Sequence, residues 1–238
     1  MIYQNFYKDY EKAAAAFEAG NPEGLARLHN EYLPVLGAQF FRFLNNAKLD
    51  YTIEKAKRLY RERGEALDTE TVERLLLYDT DNHTRAVTFA KLVSLNILTL
   101  QAIRDNIAFA YVASDNTPEE AYITIFKALK LSGGVILPGD KDKELYEALA
   151  DNITIYRGQS ERDYKNGFFG ASWTLKIDTA RFFAFRYITA PEGPNIVLRA
   201  TIQKADILAV FTGRGEDEIT VAGDNLKDAV IVGRGIKK

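Results

Sequence analysis

The side chains best suited to chemistry stand in the C-terminal third of the chain, where Glu216 and Glu218 flank Asp217. If this stretch enters a strand, the two glutamates point to one face of the sheet and the aspartate to the other. Carboxylates held side by side repel each other, which raises the pKa of one and separates their roles. Such a pair suits a reaction in which one carboxylate stabilises a sugar cation and the other accepts a proton. A solvated acidic loop has the same composition, so the pair needs suitable neighbours.

Two stretches upstream supply candidate neighbours. Arg157 ends an apolar run and is followed by Gly158; a guanidinium fork binds phosphate or carboxylate, and glycine lets a ligand approach the backbone. Ser172 and Thr174 flank Trp173, the chain's single tryptophan. Hydroxyl groups can hold a carboxylate or a ribose, and an indole can pack in the core or against a ring system. A surface arginine and strand-end packing, with Thr174 capping the next helix, would explain the same residues without a ligand.

The aromatic run after this stretch is predicted to be helical. Phe182 is expected to pack in the core, as most aromatic residues at helical spacing do. Phe183 and Arg186 are three residues apart and therefore share one helical face. One of them can stack on an aromatic ring while the other reaches a phosphate.

Helical periodicity dominates the chain up to about residue 150. Thr117-Pro118-Glu119-Glu120 has the composition of a capping box, with a Thr oxygen for a first-turn amide and proline at the first helical position. The predicted helices cover residues 3–17, 21–40 with a bend at Pro34, 52–63, 70–78, 84–107, 118–133 and 141–150.

After residue 152 the apolar period changes from 3.6 to 2, which predicts short strands separated by turn residues. The predicted strands are 153–156, 172–174, 195–202, 207–211, 218–221 and 229–232, with one helix from about 178 to 187. Helices followed by strands predict an α+β protein with a boundary near residue 150. The predicted domains are a helical domain of unassigned function, 1–150, and a second domain, 151–238.

The composition excludes several classes of site. The chain has no cysteine, so disulfides, thiolate catalysis and cysteine-based zinc sites are ruled out, and its two histidines are too few for a His-rich metal site. A net charge of −2 gives no electrostatic reason for general binding to nucleic acid or anionic membrane. We see no signal peptide and no apolar run long enough to cross a bilayer, and we expect a soluble, cytoplasmic protein.

Taken together and in this order, the motifs resemble the mono-ADP-ribosyltransferase family, in the branch defined by an Arg, a Ser-Thr-Ser-like strand and a Glu-x-Glu. The matching residues are Arg157 in Tyr-Arg-Gly, Ser172 in Ser-Trp-Thr, and Glu216 and Glu218 in Glu-Asp-Glu-Ile. The resemblance covers about residues 151–235 and is greatest to bacterial and phage toxins and effectors. The middle and third positions of the serine motif depart from the pattern, being Trp and Thr.

The resemblance implies a split β-sandwich with a short helix, NAD+ as a consumed substrate, and no metal. It implies that Glu218 bonds the ribose hydroxyl and stabilises the cationic transition state, with Ser172 orienting it, while Glu216 activates the nucleophile. The implied NAD-binding residues are Arg157, Gly158, Ser172, Trp173, Thr174, Phe183 and Arg186, of which the two arginines hold the pyrophosphate and Phe183 packs near the nicotinamide. The implied acceptor loop contains Phe211, Arg214 and Glu216.

The nature of the acceptor stays open. In the family, a Glu at the first position of the pair goes with guanidinium acceptors, so protein arginine is favoured over a nucleic-acid base. The basic residues between Lys55 and Arg63 could follow phosphates, although their acidic neighbours fit a solvated helix face equally well. An NAD glycohydrolase, which uses water, and a non-catalytic binding module would also be consistent with these motifs. Toxins of this kind also imply a possible inhibitory antitoxin partner, and nothing points to a membrane.

Overall fold

The computed structural model describes residues 33–115, 117–187, 194–226 and 228–235, with residues 33–45, 47, 186 and 187 described by their backbone alone. The predicted helix 3–17 and the first part of the helix 21–40 lie outside this range. The helices before the sheet are α1 Leu33–Arg63, α2 Thr69–Tyr78, α3 Arg85–Ser94, α4 Leu100–Val112, α5 Glu119–Gly133 and α6 Asp140–Ala148. Among the described helices, none combines the length with the apolar character that crossing a bilayer requires.

Six strands follow, with short helices between them. They are β1 Asn152–Ser160, β2 Ser172–Thr174, β3 Asn195–Gln203, β4 Ala209–Phe211, β5 Glu218–Thr220 and β6 Val230–Gly235. The interspersed helices are α7 Glu161–Lys165, after β1, and α8 Ile177–Phe182, which continues as a π-helical turn, Phe183–Tyr187. The mixture of helices and an antiparallel sheet confirms the predicted α+β class.

Two of the predicted helices differ clearly in extent from those observed. The predicted helix 52–63 is the end of the longer α1, which stops where Gly64 takes a φ of +69°. The predicted helix 84–107 is wrong, because it is broken into α3 and α4 at Asn96, whose φ is +55°. Asparagine tolerates this left-handed conformation, and the Thr99 hydroxyl then caps α4 by accepting the Ala102 N–H at 3.0 Å.

The predicted capping box at the start of α5 is also wrong. Pro118 occupies the capping position and no side chain there accepts a helix N–H. The carboxylate of Glu119, the first residue of the helix, is instead turned towards the sheet, where its Oε2 accepts the Ala171 N–H at 3.4 Å. This contact joins residues that are 52 positions apart in the sequence.

Every strand pair in the sheet is antiparallel, and the order is β4-β5-β2-β1-β3-β6. Strands β1 and β3 pair along nine residues, from Asn152↔Gln203 to Ser160↔Asn195. By contrast, β1 and β2 meet at the single registered pair Tyr156↔Thr174. The sheet is therefore narrowest in the middle, beside Arg157 and the Ser-Trp-Thr strand.

Three hydrophobic clusters stabilise the structure, and the largest of them joins the helices to the sheet. Phe211 on β4 stacks on Tyr111 of α4 with ring centroids 5.5 Å apart, and both residues belong to the helical cluster. Ile136 pairs in parallel with Ala209, and its N–H donates to the Leu208 carbonyl at 3.0 Å. The core of the helical half thus continues into the edge of the sheet, across the predicted boundary near residue 150.

Candidate active site

A cleft of about 270 Å³ opens at the narrow middle of the sheet. Its floor is formed by β1, β2 and β5, one wall by α8 with its π-helical turn, and the other by the loop 212–217. The lining residues are Tyr156, Arg157, Gly158, Ser172, Trp173, Thr174, Thr179, Ala180, Phe183, Arg214, Glu216 and Glu218. The cleft therefore brings together four side chains singled out in the sequence, Arg157, Ser172, Glu216 and Glu218, from three separate segments.

Glu218 is the buried carboxylate of this cleft. It is the first residue of β5, lies between Thr174 of β2 and Phe211 of β4, and is 3% exposed. The Ser172 hydroxyl, on the neighbouring strand, donates a hydrogen bond to it. Burial raises the pKa of Glu218, and the Ser172 hydrogen bond and the charge of Arg214 oppose that rise. The neighbouring charge of Glu216 raises the pKa of Glu218 further, as expected for a pair of carboxylates.

Arg214 bridges the two glutamates. Its Nη2 lies 3.1 Å from Oε2 of Glu216 and 3.3 Å from Oε2 of Glu218, while its Nη1 donates to the Val112 carbonyl at 3.4 Å. One guanidinium therefore balances part of the charge of both carboxylates. Glu216 is the more open of the two, with 24% of its side chain exposed.

The loop that carries Arg214 is anchored at both ends. At its start, Oδ1 of Asp142 accepts both the N–H and the hydroxyl of Thr212 at 2.7 Å. At its end, Nζ of Lys176 lies 2.8 Å from the Asp217 carboxylate and donates to the Gly215 carbonyl at 2.9 Å. Glu216 and Glu218 both border the cleft while Asp217 pairs with Lys176, but strand alternation is not the cause, because β5 begins only at Glu218 and Asp217 has a left-handed φ of +47°.

Arg157 is held by three groups of the protein. Its Nη1 donates to the Ser172 carbonyl at 2.5 Å, its Nε to Oε1 of Gln159 at 3.2 Å, and its Nη2 lies 3.8 Å from Oε1 of Glu119. The side chain is 18% exposed and passes so close to Gly170 that a Cβ there would overlap the guanidinium. A guanidinium has five N–H donors, so donors remain for a ligand after these contacts.

Gly158 has a packing role that the sequence does not reveal. A Cβ at this position would overlap the Ala180 carbonyl and the Ala184 nitrogen, the latter at 2.5 Å. Glycine is therefore required because α8 lies directly against β1, and not only because a ligand needs access to the backbone. The residue still borders the cleft.

Two residues predicted to contact ligands have their side chains in the interior. Trp173 borders the cleft but is 2% exposed, and its indole N–H donates to the Gly170 carbonyl at 2.8 Å, so core packing is the role observed. Phe211, assigned to an acceptor loop, is 5% exposed on β4 and stacks on Tyr111. The assignment of Phe211 to the loop is wrong because this residue still belongs to β4, as in the predicted strand 207–211, and its ring packs into the helical core.

Two other assignments also need correction. Thr174 does not cap the next helix; its hydroxyl donates to the Glu216 carbonyl at 2.5 Å and accepts the Lys176 N–H at 3.0 Å, so it positions the loop. Phe182, expected in the core, is 50% exposed and makes an edge contact with Phe183.

Phe183 borders the cleft at the start of the π-helical turn, as its predicted position beside a ligand requires. The backbone of Arg186 lies in the same turn, and its side chain is outside the described part of the structure.

Several residues around the cleft are not identifiable from the sequence. Glu119 and Tyr111 lie behind the lining residues, in the helical half: Glu119 is 3.8 Å from Arg157, and Tyr111 stacks on Phe211, the partner of Glu218 in the sheet. Burial raises the pKa of Tyr111 well above its ordinary value, and the charges of Glu218 and Glu119 add to that rise. Asp142 and Thr179 complete the surroundings. No local pattern marks these residues, because their proximity arises only when the helices pack on the sheet.

The basic residues between Lys55 and Arg63 are mostly paired with carboxylates. The pairs are Lys55 with Asp79 at 2.6 Å, Lys57 with Glu54 at 2.7 Å, Arg58 with Glu62 at 3.9 Å and Arg63 with Asp68 at 3.2 Å. A larger cavity of about 390 Å³, between α1 and α2, includes two of these basic residues and Asp79. This cavity lacks the paired glutamates of the cleft, and the ion pairs favour the interpretation of a solvated helix face.

Comparison with known proteins identifies no relative: no family model, no curated protein and no solved structure matches this chain. Within the described part of the chain, no three His, Asp or Glu side chains gather as a metal ion would require. That the protein uses no metal stays a prediction. The chemistry of the cleft is inferred from its geometry.

Proposed function

We propose that the cleft binds NAD+, cleaves the bond between nicotinamide and ribose, and transfers the ADP-ribose to a macromolecular acceptor. The observation that carries this proposal is the burial of Glu218 beneath the Ser172 hydroxyl, with Glu216 beside it on the open side of the cleft. A buried carboxylate with a fixed hydrogen bond is suited to stabilise positive charge that develops on a sugar, because the low-dielectric surroundings strengthen the interaction.

The size and lining of the cleft fit one end of such a dinucleotide. A volume of about 270 Å³ lies just below the range of roughly 300–1,000 Å³ typical of small-molecule sites. We infer that the nicotinamide and its ribose enter the cleft, whereas the adenosine end lies outside it. Phe183 is placed to pack on a planar ring, and the free donors of Arg157 can meet a phosphate oxygen.

The sheet supports the more specific fold proposal. Because β1 and β2 share a single registered pair, the sheet divides into the halves β4-β5-β2 and β1-β3-β6. A sheet divided beside an NAD cleft is what the split β-sandwich of the ADP-ribosyltransferases leads us to expect. We propose that fold for the domain 151–238, with the described helices before it packed against the β4 edge.

Glu218, Ser172 and Glu216 have separate roles in the proposed reaction. Glu218 accepts a hydrogen bond from the ribose hydroxyl and stabilises the cationic transition state, while Ser172 holds its orientation. Glu216, nearer the solvent, takes the proton of the incoming nucleophile, for which hydrogen-bond reach is the first requirement. The guanidinium of Arg214 beside Glu216 indicates that this carboxylate can pair with an arginine. That pairing favours protein arginine as the acceptor over a nucleic-acid base.

Replacement of the buried glutamate tests the proposal. The protein incubated with NAD+ should release nicotinamide, and Glu218→Gln should lower that rate by about 100- to 1,000-fold, as loss of one preorganised charge-stabilising group does. The matched control is Glu161→Gln, since Glu161 is also largely buried and lies 3.2 Å from Arg234, but stands outside the cleft. The control should retain full activity. A protein that releases no nicotinamide with any acceptor supplied would be a binding module instead.

Replacement of the second glutamate separates cleavage from transfer. Glu216→Gln should keep nicotinamide release but lose transfer to arginine, because an amide cannot accept the proton of the nucleophile. Release and transfer are measured in the same reaction, with agmatine as a small guanidinium acceptor. Equal loss of both activities would contradict the division of roles.

The acceptor class is tested with labelled NAD+ in a cell lysate. Label that resists nuclease and is removed by protease identifies a protein acceptor. The reverse pattern identifies nucleic acid, and label that never joins a macromolecule identifies a glycohydrolase.

A further inference from the structure

Arg214 occupies the position in which a substrate arginine would have to lie. Its Nη2 is within 3.1 Å of Glu216 and 3.3 Å of Glu218, so the guanidinium sits between the proposed base and the proposed charge-stabilising carboxylate. An ordinary surface ion pair joins one cation to one carboxylate. Here a single nitrogen contacts both members of the pair that the proposed reaction uses.

The loop holds Arg214 in this position. Thr212 is tied to Asp142, and Lys176 is tied to both Asp217 and the Gly215 carbonyl, so the loop is fixed on either side of Arg214. The Val112 carbonyl holds the other terminal nitrogen at 3.4 Å. A nucleophile held in place near its base gains the large rate advantage of an intramolecular reaction. About half of the side chain, 51%, is nevertheless exposed, so a sugar can approach it from the cleft.

We propose that Arg214 is itself an acceptor, and that the protein modifies its own loop with ADP-ribose. This inference rests on the proposed function. When Glu218 takes the ribose hydroxyl as its partner, Arg214 keeps its contact with Glu216. A bond forms between Nη2 of Arg214 and the anomeric carbon of the nicotinamide ribose, while the bond from that carbon to nicotinamide breaks. Nicotinamide leaves with the bonding electron pair, and the proton from Arg214 passes to the Glu216 carboxylate.

Self-modification changes the site afterwards. The attached ADP-ribose would fill the space in front of Glu216 and add two phosphate charges beside a carboxylate pair. Like charges at this distance repel, so the modified arginine cannot remain against both glutamates. We therefore expect the modified protein to transfer ADP-ribose more slowly to an external guanidinium compound than the unmodified protein does.

The test is incubation of the purified full-length protein with labelled NAD+ and no other acceptor, followed by mass spectrometry of its tryptic peptides. We expect label on Arg214 and a missed tryptic cleavage after it. The matched control residue is Arg234, which is 60% exposed and paired with Glu161 at 3.2 Å, but lies on β6, four strands from β5. With neighbouring strands about 4.8 Å apart, that is roughly 19 Å from the proposed base.

Variants make the test specific. Arg214→Lys should lose the label on this peptide, Arg234→Lys should keep it, and Glu216→Gln should lower it on the order of 100-fold while nicotinamide release continues. The rate constant for labelling should not change when the protein is diluted, because the acceptor belongs to the same chain. Label spread equally over Arg214 and Arg234, or a rate that falls with dilution, would overturn the inference.

The failure of this inference is distinguishable from the failure of the proposed function. Nicotinamide release with transfer to agmatine, but without label on Arg214, would overturn self-modification and leave the transferase standing. Absence of nicotinamide release with every acceptor would overturn both.

Discussion

At the scale of single residues, the proposed chemistry depends on Glu218 being buried and still able to ionise. Burial raises its pKa, and the positive charge of Arg214 and the hydrogen bond from Ser172 limit that rise. These two neighbours thus favour the charged form of the carboxylate, which the proposed stabilisation of a sugar cation requires. Either Arg214 or Ser172 can be substituted while Glu218 itself is kept.

The first prediction at this scale concerns the pH dependence of activity. Arg214→Ala should shift the acidic limb of nicotinamide release to higher pH, because the charge that lowers the pKa of Glu218 is gone. The measurement is kcat/KM for nicotinamide release against pH, which reports the pKa of the free enzyme. An acidic limb that stays in place, or moves to lower pH, would mean that Arg214 does not control this group.

The second prediction at this scale concerns how the stability of the fold depends on pH. Because the pKa of Glu218 is raised above its ordinary value of 4.5 on folding, its favourable contribution is present below pH 4.5 and is lost as the pH rises through the folded pKa. Glu218→Gln, which cannot ionise, should therefore melt at a higher temperature than the wild type at pH 7. The difference should shrink towards pH 4.5. A variant that is less stable at pH 7 would show that the hydrogen bonds to the carboxylate outweigh its desolvation.

At the scale of elements, the loop 212–217 depends on a residue of α6. Asp142 is 8% exposed and uses both carboxylate oxygens, Oδ2 for the Gly139 N–H at 2.9 Å and Oδ1 for Thr212. The cap of a helix and the anchor of the loop are therefore the same side chain. Whatever disturbs this helix end also disturbs the position of Arg214 and Glu216.

Asp142→Ala should lower the free energy of unfolding by about 1–3 kcal/mol, since it leaves partly buried N–H groups without acceptors. It should also reduce transfer to an acceptor more than it reduces nicotinamide release, because Glu216 follows the loop whereas Glu218 belongs to β5. The control is Asp140→Ala, which removes the same charge from the same helical turn at an exposed position. Equal effects of the two substitutions in chemical denaturation would show that the loop anchor contributes nothing.

Elements also show what the sequence can and cannot predict. The strands carrying Arg157, Ser172 and Glu218 are predictable because β-branched runs with period two mark strands locally. The break at Asn96 is not, because the apolar period continues across it and only the packing of α3 and α4 requires a turn. The local pattern predicts a capping box at residues 117–120 but says nothing of the partners of Glu119, Ala171 and Arg157, which are set by the tertiary fold.

At the scale of the whole molecule, the helices complete the site as well as the core. Tyr111 of α4 packs on Phe211, which stands directly opposite Glu218 on the neighbouring strand. Glu119 of α5 approaches Arg157, and Asp142 of α6 holds the loop. The resemblance that reveals the motifs covers residues 151–235, and these contacts come from outside it.

A fragment of residues 151–238 should therefore fail to fold cooperatively when produced alone. Phe211 would lose the aromatic residues that bury it, and removing the packing of one large core aromatic typically costs about 3–5 kcal/mol, a large part of the stability of a small domain. Circular dichroism and thermal melting compare the fragment with the full chain. A fragment that melts cooperatively and releases nicotinamide would show that residues 151–238 fold as an independent domain.

The pairing of Ile136 with β4 has a consequence for how copies of this chain can meet. The Leu208 carbonyl and the Val210 N–H, which face outwards from this side of the sheet, are both bonded to Ile136. Another polypeptide can add a strand to an exposed strand edge by bonding its free N–H and C=O groups. Here those two groups of the β4 edge are already hydrogen-bonded to Ile136. Between the two outermost strands, edge-to-edge assembly is thus confined to β6, where the register shift opposite Val197 and Leu198 makes regular strand addition unfavourable.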